Sequence, residues 1–127
     1  MINNFLIISC TGKDDKLGLR INKEFFTHII ESNINKNEKL VSEILSFLTN
    51  HKIKLDENFS VIVNQGPGSF SSIRVALAVA KGLEIAKKVK IFGYKNYNLD
   101  VFKQENIEKL LKKKLVEKNL IKPIYLS

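Results

Sequence analysis

The stretch Asn64-Gln65-Gly66-Pro67-Gly68-Ser69-Phe70-Ser71-Ser72 gathers two glycines, a proline and three serine hydroxyls. Glycines allow close backbone approach. A helix that starts just after them can aim its N-terminal N–H groups at an anion. On that reasoning Gly66, Pro67, Gly68, Ser69, Phe70 and Ser71 form a candidate ligand loop. It is not a Walker loop, because no Lys-Ser or Lys-Thr pair follows the glycines. It nearly fits the dinucleotide fingerprint with Ser71 at the third glycine position, but the next strand ends in Tyr94 and Lys95 with no acid to hold a ribose. Without a ligand, the same residues make a tight strand-to-helix turn capped by Ser69 or Ser71. Other chemistry is sparse. Ser69 has no histidine at motif spacing, and His28 and His51 read as strand and helix-end residues. Cys10, with no local histidine or basic cluster, reads as a buried strand cysteine. There is no His-Glu-x-x-His, and two histidines and one cysteine, widely scattered, cannot build a structural zinc site. The residues call for no metal and no cofactor.

The elements around this loop can be read from periodicity. Phe5 to Cys10 is an apolar run suited to a buried strand, Leu17 to Ile21 alternates, and Phe25 to Ile30 is aromatic and β-branched. Their connections are too short for crossover helices, which predicts an antiparallel meander. Leu40, Val41, Ile44, Leu45 and Leu48 then recur at helical spacing between Asn37 and Asn50. Phe59 to Val63 predicts a fourth strand, Ser71 to Ala86 a second helix and Val89 to Gly93 a fifth strand. Strand, helix, strand, helix, strand implies right-handed parallel crossovers. The expected fold is therefore α/β, a mixed five-stranded sheet of three antiparallel then two parallel strands, the layout of a ribonuclease H-like lobe. Residues 104–122 read as a further basic amphipathic helix carrying Ile107, Leu110, Leu111, Leu115 and Val116 on one side.

Composition sets bounds on function. The 127 residues suit one domain, and the net charge is +8. Through Ala86 there are 10 basic and 9 acidic residues, so the excess lies in the last 41 positions. Of the basic residues only Arg20 and Arg74 are arginine, although specific phosphate and base contacts favour arginine's planar fork. Lysine, isoleucine and asparagine all have AT-rich codons, so genome composition explains the lysines at least as well as a nucleic-acid site. The longest apolar run, Val75 to Ala80, is far short of the roughly 18 residues of a membrane helix. The start, Met1-Ile2-Asn3-Asn4, has no basic region or cleavage site, and a single cysteine fits a reducing cytoplasm. A cytoplasmic protein without a membrane partner is expected.

Gly66-Pro67-Gly68-Ser69-Phe70-Ser71-Ser72-Ile73-Arg74-Val75, continuing to Ala80-Lys81-Gly82-Leu83, closely resembles the hallmark of the TsaB (YeaZ) family. That pattern reads Gly-Pro-Gly-Ser-Phe-Thr-Gly-Leu-Arg, then Ala-Lys-Gly-Leu along the following helix. Lys36-Asn37-Glu38-Lys39-Leu40 stands where the family has His-Ser-Glu-Arg-Leu, and Pro123-Ile124-Tyr125-Leu126 is similar to its Pro-x-Tyr-Leu ending. The resemblance implies the actin and sugar-kinase superfold, normally two ribonuclease H-like lobes. It also implies a non-catalytic subunit working beside a TsaD-like paralogue and a TsaE-like ATPase. Their complex places threonylcarbamoyl on adenosine 37 of tRNA, which this chain would meet only through the complex. Two departures stand out. The family's first strand usually ends in Asp-Thr-Ser, where this chain has Ser9-Cys10-Thr11. An aspartate there lies near the superfold's metal and phosphate site, so nucleotide hydrolysis is not expected. The chain is also short: residues 1–103 correspond to the N-terminal lobe, and residues 104–127 are expected as a basic helical tail in place of the second lobe. One copy would not complete a ligand cleft.

At 100° per residue, Val75, Ala76, Val79, Leu83 and Ala86 share a side expected to pack on the sheet. Arg74, Lys81 and Lys88 lie opposite, with Leu77, Ala78 and Ile85 among them. Small Ala78 and Gly82 would let another helix approach. With Phe47 at the edge of the first helix, the expected partner interface is Phe47, Arg74, Leu77, Ala78, Lys81 and Ile85. It would serve a homodimer or the TsaD-like partner. The competing enzyme-class reading is a small phosphate- or nucleotide-binding protein using the Gly66–Phe70 loop. A basic RNA-binding module is a third reading, weakened by the lack of arginine or aromatics among the lysines of residues 109–118.

Overall fold

The computed structural model describes residues 4–30, 36–99, 102–113 and 116–118. The strands are β1 (Phe5–Ser9), β2 (Lys16–Ile21), β3 (Glu24–Ile29), β4 (Ser60–Asn64), β5 (Lys90–Tyr94) and β6 (Val116–Lys118). The helices are α1 (Lys36–Asn50), α2 (Phe70–Lys87) and α3 (Gln104–Lys112), and a 3-10 turn covers Asn96–Asn98. The sheet order is β3-β2-β1-β4-β5-β6. β1 pairs antiparallel with β2 and parallel with β4, and β4 pairs parallel with β5. The first five strands thus take the order expected of a ribonuclease H-like lobe.

The far end differs from expectation. The helix predicted over 104–122 stops at Lys112, and Val116–Lys118 returns as β6, antiparallel to β5. Nothing in the lysine-rich sequence marks that stop, since lysine and leucine both favour helix. The free edge of β5 supplies the competing partner, because an unpaired edge presents backbone groups that a short strand satisfies. The Pro123–Leu126 ending lies outside the described residues.

Register decides which side chain meets which layer. Leu19, Leu6, Val61 and Ile91 stand in one row across four strands, on the face toward α1 and α2. On the opposite face Phe5, Ile7, Ile62 and Tyr94 form a second core with Ile107 and Leu110 of α3. β1 and β4 are buried on both faces, so they read as unbroken apolar runs instead of alternating ones. α3 is held at its margin by an Arg20–Glu108 ion pair and by Gln104, whose amide donates to the Lys23 carbonyl at 3.4 Å. Gly18 makes this layer possible. A Cβ there would meet Ile7 Cγ2 at 2.6 Å and Phe25 Cζ at 2.7 Å, so only glycine leaves room for Phe25 and Phe102 above β2.

Across the other layer α1 is clamped to β3. His28 Nε2 meets the Glu43 carboxylate, Lys39 Nζ lies 3.1 Å from the same carboxylate, and Phe47 stacks on His28 with ring centroids 5.6 Å apart. The His28 hydrogen bond, then that of Lys39, holds the Glu43 carboxyl below its ordinary value of 4.5 despite partial desolvation. A carboxyl depressed in the folded state stabilises the fold above its unfolded value, and that contribution disappears as pH falls through the depressed one. Stability should therefore drop as pH falls below about 4.5. Glu43→Gln should flatten that acid limb; urea midpoints measured across the acid range check it, and an identical limb in the variant would contradict the clamp.

Candidate functional site: the glycine loop and the two-helix face

The glycine loop joins β4 to α2, and its backbone is bound into its surroundings. Gln65 N–H donates to the Tyr94 carbonyl at 2.9 Å, and Asn96 N–H donates to the Gly66 carbonyl at 2.7 Å. Gly66, at φ 101°, donates its N–H to Asn64 Oδ1 at 2.9 Å, and the Gly66–Pro67 peptide is cis. Ser69 N–H donates to the Thr11 carbonyl at 2.8 Å. The N–H groups of Gln65, Gly66 and Ser69 thus serve the fold and are not offered to a ligand. There the N-cap is Ser69, with no side-chain cap hydrogen bond; its hydroxyl lies 3.4 Å from that of Ser71. Phe70 and Ser71 are exposed, and the Arg74 guanidinium sits 5.0 Å from the Phe70 ring centroid.

The loop also touches the β1–β2 turn. A Cβ on Gly68 would stand 2.6 Å from Thr11 Cβ and 2.9 Å from the Thr11 carbonyl oxygen. Gly12, at φ 97°, is similarly pressed, its missing Cβ 2.6 Å from Ser69 Cβ. So Gly68 is fixed by close approach and Gly66 by its dihedral. Sequence reasoning singled out the stretch from Asn64 to Ser72 but gave Asn64 no role and did not connect Thr11, Gly12 and Asn96, which hold the loop with it. Only Asn64 carried a local signal, an asparagine two residues before the N–H it caps. Gly68→Val should destabilise the fold by about 1–3 kcal/mol, because the clash is with backbone and cannot be relieved by a rotamer change. An unchanged melting temperature would show the brace to be dispensable.

The helix faces differ from the wheel expectation. α2 lies on the sheet through Ile73, Ala76, Leu77 and Ala80, while Ala86 is exposed. Leu77 is 8% exposed and belongs to the core, as does Phe47, buried against His28 and His51. The stripe expected at the surface therefore loses both. Arg74, Ala78, Lys81 and Ile85 are exposed, Ile85 by 78%. The rotation has a simple origin: alanines and valines nearly encircle this helix, so hydrophobicity sets its phase poorly. Between α1 and α2 runs an apolar groove of about 400 Å³ lined by Val41, Leu45, Ala78, Val79, Gly82 and Leu83, above Ile44. Leu45 is 50% exposed at its wall. Among the described residues no atom outside its own helix backbone lies within 4 Å of where a Gly82 Cβ would be, so their packing does not require glycine there.

A polar pocket opens beside the loop, at the carboxyl ends of β1 and β5. It is about 370 Å³ in volume and is lined by Ser9, Thr11, Lys13, Lys16, Tyr94 and Asn96, among others. Of these, Ser9 and Thr11 were noted in the sequence only as a departure from the family's Asp-Thr-Ser, and Tyr94 only as a strand end without an acid. Among the described residues no helix is long and apolar enough to cross a membrane.

With this geometry in hand, comparison with known proteins is informative. The model of the family described as "TsaD: tRNA N6-adenosine threonylcarbamoyltransferase" matches residues 31–119. The tRNA threonylcarbamoyladenosine biosynthesis protein TsaB of Buchnera aphidicola subsp. Schizaphis graminum (strain Sg) is 26% identical over 113 residues, covering 87% of this chain and 53% of the relative. Two Pseudomonas aeruginosa structures superpose with a TM-score of 0.68 at 16% identity: YeaZ, and a protein described as uncharacterized with similarity to peptidase YeaZ. Each match covers 76% of this chain but only 46% and 45% of the other. At that identity the superposition establishes the fold, a ribonuclease H-like lobe. The chain spans about half the length of the relatives it matches. By the span of the family match, together with the likeness in sequence and fold, the chain belongs to the threonylcarbamoyltransferase family, on its TsaB (YeaZ) side.

Proposed function

We propose that this chain is a non-catalytic, TsaB-like subunit supporting threonylcarbamoyl transfer to adenosine 37 of tRNA. In this reading it docks a TsaD-like partner, works alongside a TsaE-like ATPase and meets tRNA only through the complex. The observation that carries the reading is the apolar groove between α1 and α2, with Gly82 lying open in it. A glycine inside a helix costs about 0.5–1 kcal/mol relative to alanine. Among the described residues no neighbour needs the space, and close approach of a partner helix would account for it. Val41, Leu45 and Ile85 add exposed apolar area, while Arg74 and Lys81 supply charge around it. Ser9-Cys10-Thr11 in place of Asp-Thr-Ser, and a glycine loop tied into the fold, support the non-catalytic role.

The same face could pair two copies about a two-fold axis. The charges distinguish the occupants: Arg74 and Lys81 would repel their copies, so a homodimer would tighten with added salt, whereas an acidic partner would bind less tightly. Gly82→Trp and Leu45→Glu should each abolish co-purification with a TsaD-like protein while leaving the melting temperature close to wild type. Leu77→Glu should instead unfold the domain, since it places a charge in the core. Co-purification unaffected by Gly82→Trp and Leu45→Glu would refute docking through this face.

A further inference from the structure

Among the described residues β3 is the last strand on its side of the sheet. Its hydrogen-bond phase follows from its register with β2. The two strands meet in a two-residue hairpin, Asn22 at φ 50° and Lys23 at φ 71°, and beyond β3 the Ile30 N–H donates to the Asp15 carbonyl at 2.9 Å. Bonded pairs in an antiparallel ladder recur at every second residue, so Glu24, Phe26 and His28 aim their backbone groups at β2. Phe25, Thr27 and Ile29 therefore turn theirs outward, away from the sheet.

Sheet edges are ordinarily blunted by shortness, a charge, a proline or a bulge. The edge strand β6 is so blunted, being three residues long with Glu117 and Lys118 among them. β3 is not. It pairs with β2 over all six of its residues without a bulge, and none of the outward residues Phe25, Thr27 and Ile29 is charged. Thr27 is exposed, and Ile29, apolar and β-branched, is 75% exposed where a lysine would guard the edge.

The order of side chains along β3 is complementary to itself. A two-fold axis at Thr27 would set two copies antiparallel, with Thr27 opposite Thr27 and Phe25 opposite Ile29 of the other copy. Every outward N–H and C=O of the three residues then gains a partner. On the α3 face Ile29 would cover the half-buried Phe25 ring, which already leans on Phe102, and an aromatic ring beside a β-branched chain is a favourable cross-strand pair. On the α1 face Phe26 would meet His28, whose other contact is the Phe47 ring. Neighbouring registers fit worse. Centred on Phe26, the pairing sets Ile29 against Lys23 in the turn; centred on His28, it sets two imidazoles face to face.

We propose that β3 pairs with β3 of a second copy of this chain across a two-fold axis at Thr27, joining two sheets into one. A single strand seam buries less than the roughly 1,600 Å² of a standard interface, so the dimer is weak. The seam shares no residue with the α1–α2 groove and stands or falls apart from the docking reading.

Sedimentation equilibrium of the full chain from about 10 μM to about 1 mM should show a monomer–dimer equilibrium. Amide exchange measured residue by residue locates the seam: the N–H groups of Phe25, Thr27 and Ile29 should slow several-fold as concentration rises, while those of Phe26 and His28, bonded to β2 already, change least. Thr27→Pro removes an outward N–H without touching the β2 ladder, and Ile29→Lys puts a charge where Phe25 needs cover. Each should weaken the dimer about tenfold or more, whereas Leu45→Glu, in the groove, should leave it unchanged. A chain that stays monomeric at about 1 mM overturns the proposal. So does a dimer abolished by Leu45→Glu and indifferent to Ile29→Lys, or one that forms without slowing the three outward amides. Should Thr27→Pro fail to fold, Ile29→Lys and the exchange pattern still decide.

Discussion

The constraint on which the structure depends is the two-sided burial of β1 and β4. Phe5, Leu6, Ile7 and Ile8, like Val61, Ile62 and Val63, are wholly excluded from solvent, so side chains pointing either way need cover. A sheet with one naked face would leave Phe5, Ile7 and Ile62 in water, forfeiting roughly 1.5–3 kcal/mol for each. α1 and α2 cover one face. α3 covers the other with Ile107 and Leu110, its seat made by the absence of a side chain at Gly18. The ion pair of Arg20 with Glu108 and the clamp of Glu43 on His28 set where the covering helices lie; the apolar area supplies the energy.

Parallel pairing of β1 with β4 and of β4 with β5 brings their carboxyl ends to one edge of the sheet. In open α/β sheets that edge is where loops gather and ligands bind. Here the β4–α2 loop is drawn down onto the β1–β2 turn by Ser69 and Thr11 and onto the segment after β5 by Gly66 and Asn96. Gly68 allows this because its missing side chain is where Thr11 sits. Three segments distant in sequence become one rigid rim.

What was legible in the sequence follows from how local each signal is. Unbroken apolar runs gave away β1 and β4, and Gly66-Pro67-Gly68 marked its own turn. The five-strand order followed from connection lengths. The phase of α2 was not legible: Val75, Ala76, Ala78, Val79 and Ala80 put small apolar residues on several faces, and only packing chose Leu77 for the core and left Ile85 outside. The end of α3 was equally hidden, because no glycine or proline stands between Lys112 and Lys118 and the decision belongs to the edge of β5. Contacts such as Gly68 with Thr11 depend on register between strands far apart in the chain. The lining of the polar pocket was only partly legible: the family resemblance drew notice to Ser9 and Thr11, but Lys16 and Phe102 join them only once the sheet and α3 are in place.

The loop is closed from the end of β4. Asn64, at the end of β4, satisfies Gly66 with its carbonyl and reaches Ser9 and Asn96 with its amide. The Tyr94 ring is part of the core between the sheet and α3. Its own carbonyl, moreover, anchors Gln65 at the start of the loop. The apolar capacity of the domain lies elsewhere, in the groove at Gly82.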